Sequence, residues 1–397
     1  MSISQADRTA TGWRDPVPVV GRRRVLLAPV TVTPTKPLTP SHLKGLLWTD
    51  VVHRATEPLA DVTHRSSHTA FAPCEQTVGF WEYLDRTVGD IDYSGMSEDE
   101  VGELYVRYRA DGDRAPFAAC VPYLEAIERH GWVHPASARL LAARVDQYRR
   151  LGLRDPGLTA HQPPGIGLDE AIERLHDLGL CLDLRADGGP VYVDATRAGV
   201  PLRQIVGADG RPNHLACALR DLLPLAASHD EVVLLHDRGL EPDYLLLHRV
   251  LGRLGPRVRR ISLGRVPIDG RVESARHGGW RGHSAAALLA AVEGRHDEDA
   301  VRLGMRLYFI GVLGPGDHDS FRADLLDRCL VRARRVLDAA VPTGWPAVLD
   351  GLAAQRGAKG APGGDVPAHV DAYRLTTGLL SRRRRAPSRE LLAEVFT

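Results

Sequence analysis

The feature that most constrains this chain is a junction near its N-terminus. Arg24 to Val32, RVLLAPVTV, runs into Thr33-Pro34-Thr35-Lys36-Pro37-Leu38-Thr39-Pro40, and helical spacing begins at Ser41. The first run is aliphatic and β-branched, which suits a strand buried on both faces. The prolines, with fixed φ and no N–H, end it and delay any helix until Ser41, a residue suited to a helix N-cap. Leu43, Leu46, Leu47, Val51 and Val52 then fall on one helical side. In this order, strand and proline turn meet the helix at its N-terminus, where unpaired N–H groups and the positive end of the dipole favour a phosphate.

Strand signals return at Gly189 to Val193 (GPVYV), Gln204 to Val206, Glu231 to His236 (EVVLLH) and Val258 to Leu263, with helical patterns at Leu215 to Leu225 and Tyr244 to Leu254. The alternation predicts an α/β fold in which a Rossmann-like parallel sheet takes the N-terminal strand as a member. The stretch between is richer in aromatic and acidic residues and shows helical patterns at Phe117 to His130 and Ala136 to Leu151. The expected organisation is a split nucleotide-binding domain, residues 20–60 and 181–284. A mostly helical connective insertion, 61–180, divides it, and a helical C-terminal domain, 285–397, follows with a basic tail at Arg382 to Arg385.

Composition narrows the partners. Lys plus Arg number 51 against 50 Asp plus Glu, so little excess charge is available to neutralise a nucleic-acid backbone, and no DNA partner is expected. No apolar window approaches the ~20 residues of a membrane span, and the polar lead lacks a secretory core, which points to a cytoplasmic protein with no membrane partner. The five cysteines stand apart with no C-x-x-C pair, the pattern of reduced thiols. His64, His68 and Cys74 have no compact fourth ligand, so no metal site is expected. Only Lys36, Lys44 and Lys359 are lysines. A residue retained against such an arginine bias is a candidate for work that a compact ammonium does and a broad guanidinium does not.

The segment Thr33 to Arg54, TPTKPLTPSHLKGLLWTDVVHR, resembles the HIGH signature of class I aminoacyl-tRNA synthetases, H-x-G-H after a Pro/Thr turn. Thr39-Pro40-Ser41-His42 occupies the four positions, with His42 kept, Thr39 for the first His and Ser41 for the Gly. Gly207-Ala208-Asp209-Gly210-Arg211-Pro212-Asn213-His214 resembles the G-x-D-x-x-x-x-H element of methionyl-type enzymes, and Tyr192-Val193-Asp194-Ala195 resembles their W-L-D-A pocket wall. Asp269-Gly270-Arg271-Val272-Glu273-Ser274-Ala275-Arg276-His277-Gly278 keeps the frame of D-G-x-K-M-S-K-S-x-G without its lysines. Residues 297–328 are similar to the stem that follows that loop. Each match alone is weak, but several in the expected order reinforce one another.

The resemblance implies a Rossmann-like fold of the HUP type and ATP-dependent activation of an amino acid, with Mg²⁺ bridging the phosphates. Thr39, His42, Lys44 and Arg276 would be catalytic; Thr35, Ser41, Gly207, Asp209, Arg271, Ser274 and His277 would hold the nucleotide; Tyr192, Asp194, Ala195 and His214 would line the amino-acid pocket. Arg281 is a further candidate to replace the lost lysines. The expected product is an aminoacyl adenylate, and the favoured acceptor a small molecule of specialised metabolism. tRNA is a possible acceptor but not the favoured one, because the chain is short and nearly neutral. A tRNA ligase, a nucleotidyltransferase and a non-catalytic amino-acid-binding paralogue remain alternatives. A capping histidine at position 42 and an Asp-Gly turn at position 209 have the same appearance in sequence.

Overall fold

The computed structural model describes residues 21–113, 115–272, 277–356, 366–381 and 386–397. Its first half comprises strand β1 (Arg24–Pro29), helix α1 (Pro40–Thr56), β2 (Asp61–His64), α2 (His68–Phe71), α3 (Glu75–Thr87), α4 (Glu98–Ala110), α5 (Phe117–His130), α6 (Pro135–Leu151) and α7 (Leu168–Asp177). Next come β3 (Cys181–Asp183), β4 (Val191–Val193), β5 (Arg203–Val206), α8 (His214–Ala226), β6 (Glu231–Asp237), α9 (Glu241–Gly252) and β7 (Arg257–Leu263). Among the described residues there follow the α-helices α10 (Ala285–Val292), α11 (Glu298–Arg306), α12 (Ala323–Asp338), α13 (Trp345–Ala353), α14 (Ala372–Leu380) and α15 (Arg389–Val395).

Four parallel strands form the main sheet in the order β2-β1-β6-β7. Alternate residues of its central strands enter separate cores, as the two-residue pleat requires. Val25, Leu27, Val233 and Leu235 pack with α1 and the C-terminal helices, whereas Leu26, Ala28, Val232 and Leu234 pack with α8 and α9. Helices therefore cover both faces, which is why β1 and β6 read as nearly unbroken apolar runs. From β1 the chain steps outward to β2, and from β6 outward to β7, so strand order reverses between β1 and β6. In open α/β sheets the carboxyl ends at such a reversal are where ligands bind.

Two strand assignments are corrected. Gly189 to Val193 and Gln204 to Val206 do not join the parallel sheet; they form β4 and β5 of a separate antiparallel sheet, β3-β4-β5. Loops this short hold no crossover helix, and parallel pairing needs a connection of a dozen residues or more. Conversely β2, DVTH, lies within the span expected to be helical. Asp61 and Thr63 are exposed on this edge strand, so no aliphatic run announced it. Helices α3 to α6 share a core of their own around Phe80, Trp81, Tyr105 and Tyr108. The far end of α6, Tyr148 and Leu151, enters the cluster of the main sheet, and the C-terminal helices share that cluster with α1. Among the described residues no helix is long and apolar enough to cross a membrane.

Candidate active site

The site is built on the first turn of α1, where β1 hands over at the reversal of strand order. Thr39 is the N-cap with extended backbone, and its hydroxyl accepts from His42 N–H at 3.3 Å. In return the Thr39 N–H donates to His42 Nδ1 at 3.1 Å, completing a capping box with histidine in the place of the usual Glu or Gln. This fixes the tautomer: with Nδ1 accepting, the neutral ring carries its proton on Nε2. Burial holds His42 well below its ordinary 6.5, and Lys36, Arg144 and Arg265 push it further in that direction. His42 is half-buried, and its Nε2–H has no hydrogen-bond partner among the described residues. A neutral donor at a helix N-terminus, surrounded by three cations, is suited to an anionic ligand.

Side chains from the insertion brace the loop that leads into this turn. Arg144, on α6 and 3% exposed, donates to the carbonyls of Val32 at 2.5 Å, Thr33 at 2.8 Å and Lys36 at 3.2 Å. Burial lowers its pKa to about 10. Ser137 Oγ donates to the Pro34 carbonyl at 2.6 Å, and Gln76 Nε2 to Thr33 Oγ1 at 2.8 Å. Thr35 is fully buried, with the Lys36 ammonium 3.5 Å from its hydroxyl and 4.9 Å from the centre of the Tyr105 ring. Arg144 and Gln76 were missed in sequence. The available signal was polar residues, Arg144 and Gln147, interrupting the otherwise apolar face Leu140, Leu141, Tyr148 and Leu151 of α6.

Ser41 and Lys44 serve the neighbouring segment. Ser41 Oγ accepts from Val266 N–H at 2.9 Å, and the Lys44 ammonium, 1% exposed, donates to the carbonyls of Gly264 at 3.0 Å and Gly316 at 2.6 Å. With two of its three protons committed, Lys44 has at most one left for a ligand. Burial lowers it from 10.5 to about 8, against the pull of Asp317. Close by, Arg265 pairs with Asp237 at 2.6 Å and Arg238 with Asp317 at 2.9 Å.

Asp209 joins this region through α3. The turn from Gly207 to Arg211 is closed by Gly210 at φ 85°, and the Arg211 N–H donates to Asp209 Oδ1 at 3.1 Å. The Arg211 guanidinium lies 3.4 Å from Asp209 and 3.6 Å from Glu75, next in sequence to the Gln76 that holds Thr33. His214, exposed at the start of α8, meets Asp243 at the start of α9, 3.1 Å away. Tyr192 stands on the small sheet between the buried Val191 and Val193, and so on its opposite face. Asp194 accepts from the Thr196 N–H and hydroxyl at 2.9 and 2.6 Å, which shapes the turn after β4, and Ala195 is core. These two residues have structural employment where a pocket wall was expected.

After β7 the chain makes a two-residue Asp269-Gly270 turn, both residues at positive φ, with Ile268 and Arg271 exchanging backbone hydrogen bonds. Arg271 and His277 are exposed. Arg281 forms a two-pronged pair with Glu103 of α4 at 2.6 and 2.7 Å. Ser274 and Arg276, like Arg382 to Arg385, lie outside the described residues.

No protein-family model and no curated protein sequence matches this chain. Its fold, a split parallel sheet with a helical insertion, is similar to that of two solved aminoacyl-tRNA synthetases. It is similar to the arginyl-tRNA synthetase of Thermus thermophilus, at 16% identity and a TM-score of 0.55 over 80% of this chain and 63% of that one. It is also similar to the arginyl-tRNA synthetase of Plasmodium falciparum, at 12% identity and 0.52, over 84% and 64%. The chain thus spans just under two thirds of the length of each, and at these identities the likeness is one of fold.

Proposed function

We propose that this protein activates an amino acid with ATP. A carboxylate oxygen attacks the α-phosphorus, the bond to the bridging oxygen breaks, and aminoacyl adenylate and pyrophosphate form. The observation that carries this reading is the His42 Nε2–H, held neutral and unpartnered on the α1 N-terminus amid Lys36, Arg144 and Arg265. Negative charge grows on the departing pyrophosphate, so fixed donors and cations at this point stabilise the transition state more than the ground state. Mg²⁺ would arrive on the phosphate oxygens of ATP and neutralise part of that charge. The methionyl-type likeness of the 207–214 turn, and of Arg271, Ser274, Arg276 and His277 to a phosphate-closing loop, belongs to this proposal.

The favoured acceptor is a small molecule in specialised metabolism, a reading supported by the near-neutral charge of the chain. Transfer to tRNA is the second reading, favoured by the fold likeness to two tRNA synthetases. The test is ATP–pyrophosphate exchange run with each amino acid, with and without tRNA. Exchange supported by one amino acid, and reduced about 100-fold in His42→Ala, is the expected result. No exchange with any amino acid under either condition overturns the proposal, and dependence on tRNA selects the second reading.

A further inference from the structure

The insertion contains a cavity of about 400 Å³ that the reaction above does not use, lined by Asp85, Asp90, Tyr93, Trp132 and His134, with Gly89 and Pro135. Its walls are an aromatic web. Trp132 meets Trp81 edge-on at 5.4 Å and His134 at 6.0 Å, and Tyr93 meets His134 at 5.3 Å. Trp81 is itself pinned by its Nε1–H on Ser137 Oγ at 2.8 Å. Trp132 is 38% exposed and is one of the residues that line the cavity.

The charge is of one sign. His134 Nδ1 accepts from Ala136 N–H at 3.1 Å, which leaves its Nε2–H to donate to Asp85 Oδ1 at 3.1 Å. Burial holds this imidazole below its ordinary value despite Asp85 beside it, so it brings no positive charge. The other oxygen of Asp85 accepts from the Tyr123 hydroxyl at 2.5 Å. Asp90 has no hydrogen-bond or ion-pair partner among the described residues. Tyr93 is 3% exposed, and its hydroxyl also lacks a partner. Burial raises its phenol above the ordinary value, and Asp85 and Asp90 add to the rise, so both carboxylates are felt at this ring. A buried hydroxyl with no partner is uncommon in a folded chain and calls for an explanation.

We propose that this cavity binds a small organic cation bearing N–H donors, an alkylammonium or guanidinium group. The Trp132 ring in the cavity wall attracts the cation, Asp85 and Asp90 balance its charge, and the Tyr93 hydroxyl accepts one of its N–H bonds. The assignment does not depend on amino-acid activation, so absence of pyrophosphate exchange leaves it standing.

The test is calorimetric titration of the full chain, with tryptophan fluorescence in parallel, using methylammonium, methylguanidinium, tetramethylammonium and the neutral tert-butanol. Both N–H cations are expected to bind about tenfold more tightly than tert-butanol. Asp90→Asn, at an exposed position, should weaken every cation. Tyr93→Phe keeps the ring and removes an unpartnered hydroxyl, so the fold tolerates it; it should weaken methylammonium and methylguanidinium severalfold and leave tetramethylammonium unchanged. The tighter of the two N–H cations identifies the group the cavity selects. Equal binding of tert-butanol, no binding by any cation, or N–H cation affinities untouched by Tyr93→Phe would each overturn the proposal.

Discussion

The segments that follow β1 and β7 leave the same edge of one sheet, yet they are braced from opposite directions. After β1, the carbonyls of Val32, Thr33, Pro34 and Lys36 are taken by Arg144 and Ser137, both on α6 of the insertion. After β7, the Gly264 carbonyl and the Val266 N–H are taken by Lys44 and Ser41, both on α1. The approach there is close enough that a Cβ on Gly264 would lie 2.5 Å from the Gly316 carbonyl carbon. Proline-rich and glycine-rich backbone cannot satisfy itself in regular structure, so side chains must do it, and the source of those side chains decides what each segment depends on. The insertion is therefore part of the site's scaffold: it sets the loop that presents His42. Helix α1 divides its labour: the His42 Nε2–H has no partner among the described residues, while Ser41 and Lys44 hold the neighbouring segment.

The largest effect is expected at the first brace. Arg144→Ala leaves three loop carbonyls short of a buried donor and should cost about 4 kcal/mol of stability by denaturant unfolding. Hydrogen exchange should rise over residues 32–42 and remain slow over 264–266. If both segments loosen together, the two braces are one unit and the contrast fails.

The second brace is weaker. Lys44→Met removes one ammonium from two carbonyls and should cost about 2 kcal/mol, with exchange rising at 264–266. Its pH dependence has a definite sign. The native chain gives up the Lys44 proton near pH 8, whereas the unfolded chain keeps it to about 10.5. Across that window the unfolded state binds more protons, so raising the pH stabilises the native state through this group. The difference in stability between wild type and Lys44→Met should therefore widen from pH 8 to 10. A constant difference would mean that Lys44 is charged in the native state throughout. A direct phosphate role for Lys44 would instead appear as a raised KM for ATP in a variant of unchanged stability.

How much of this was legible in sequence follows from what each residue must do. The β1-to-α1 junction was readable because prolines and an aliphatic run act locally, although the N-cap is Thr39 and not the expected Ser41, since Pro40 fits the first helical position. The same held for the helices at 117–130 and 136–151. The brace on the loop was not readable, because Arg144 acts across more than 100 positions on backbone carbonyls that carry no sequence signature. Lys44 stood out for its rarity, but rarity does not say whether an ammonium meets a phosphate or two carbonyls. The short strands β4 and β5 were recognised as strands and assigned to the wrong sheet, since residue pattern gives a strand its faces and only its connections give it neighbours. His42 was singled out at the right helix end, but its pairing with Thr39, which sets the tautomer, needed coordinates.

Ser41→Ala gives the smallest and most discriminating effect. Ser41 lies one residue before His42, and its Oγ is the partner of the Val266 N–H, on a residue 5% exposed. Losing it should cost about 1 kcal/mol, measured by denaturant unfolding. Thr39 and the capping box remain, so His42 keeps its tautomer and its place. The site turn should then stay intact while the segment after β7 loosens, and any exchange activity should fall through the affinity for ATP rather than through turnover. An equal fall in turnover would show that the second segment takes part in positioning the reacting phosphate, and the division of labour along α1 would have to be redrawn.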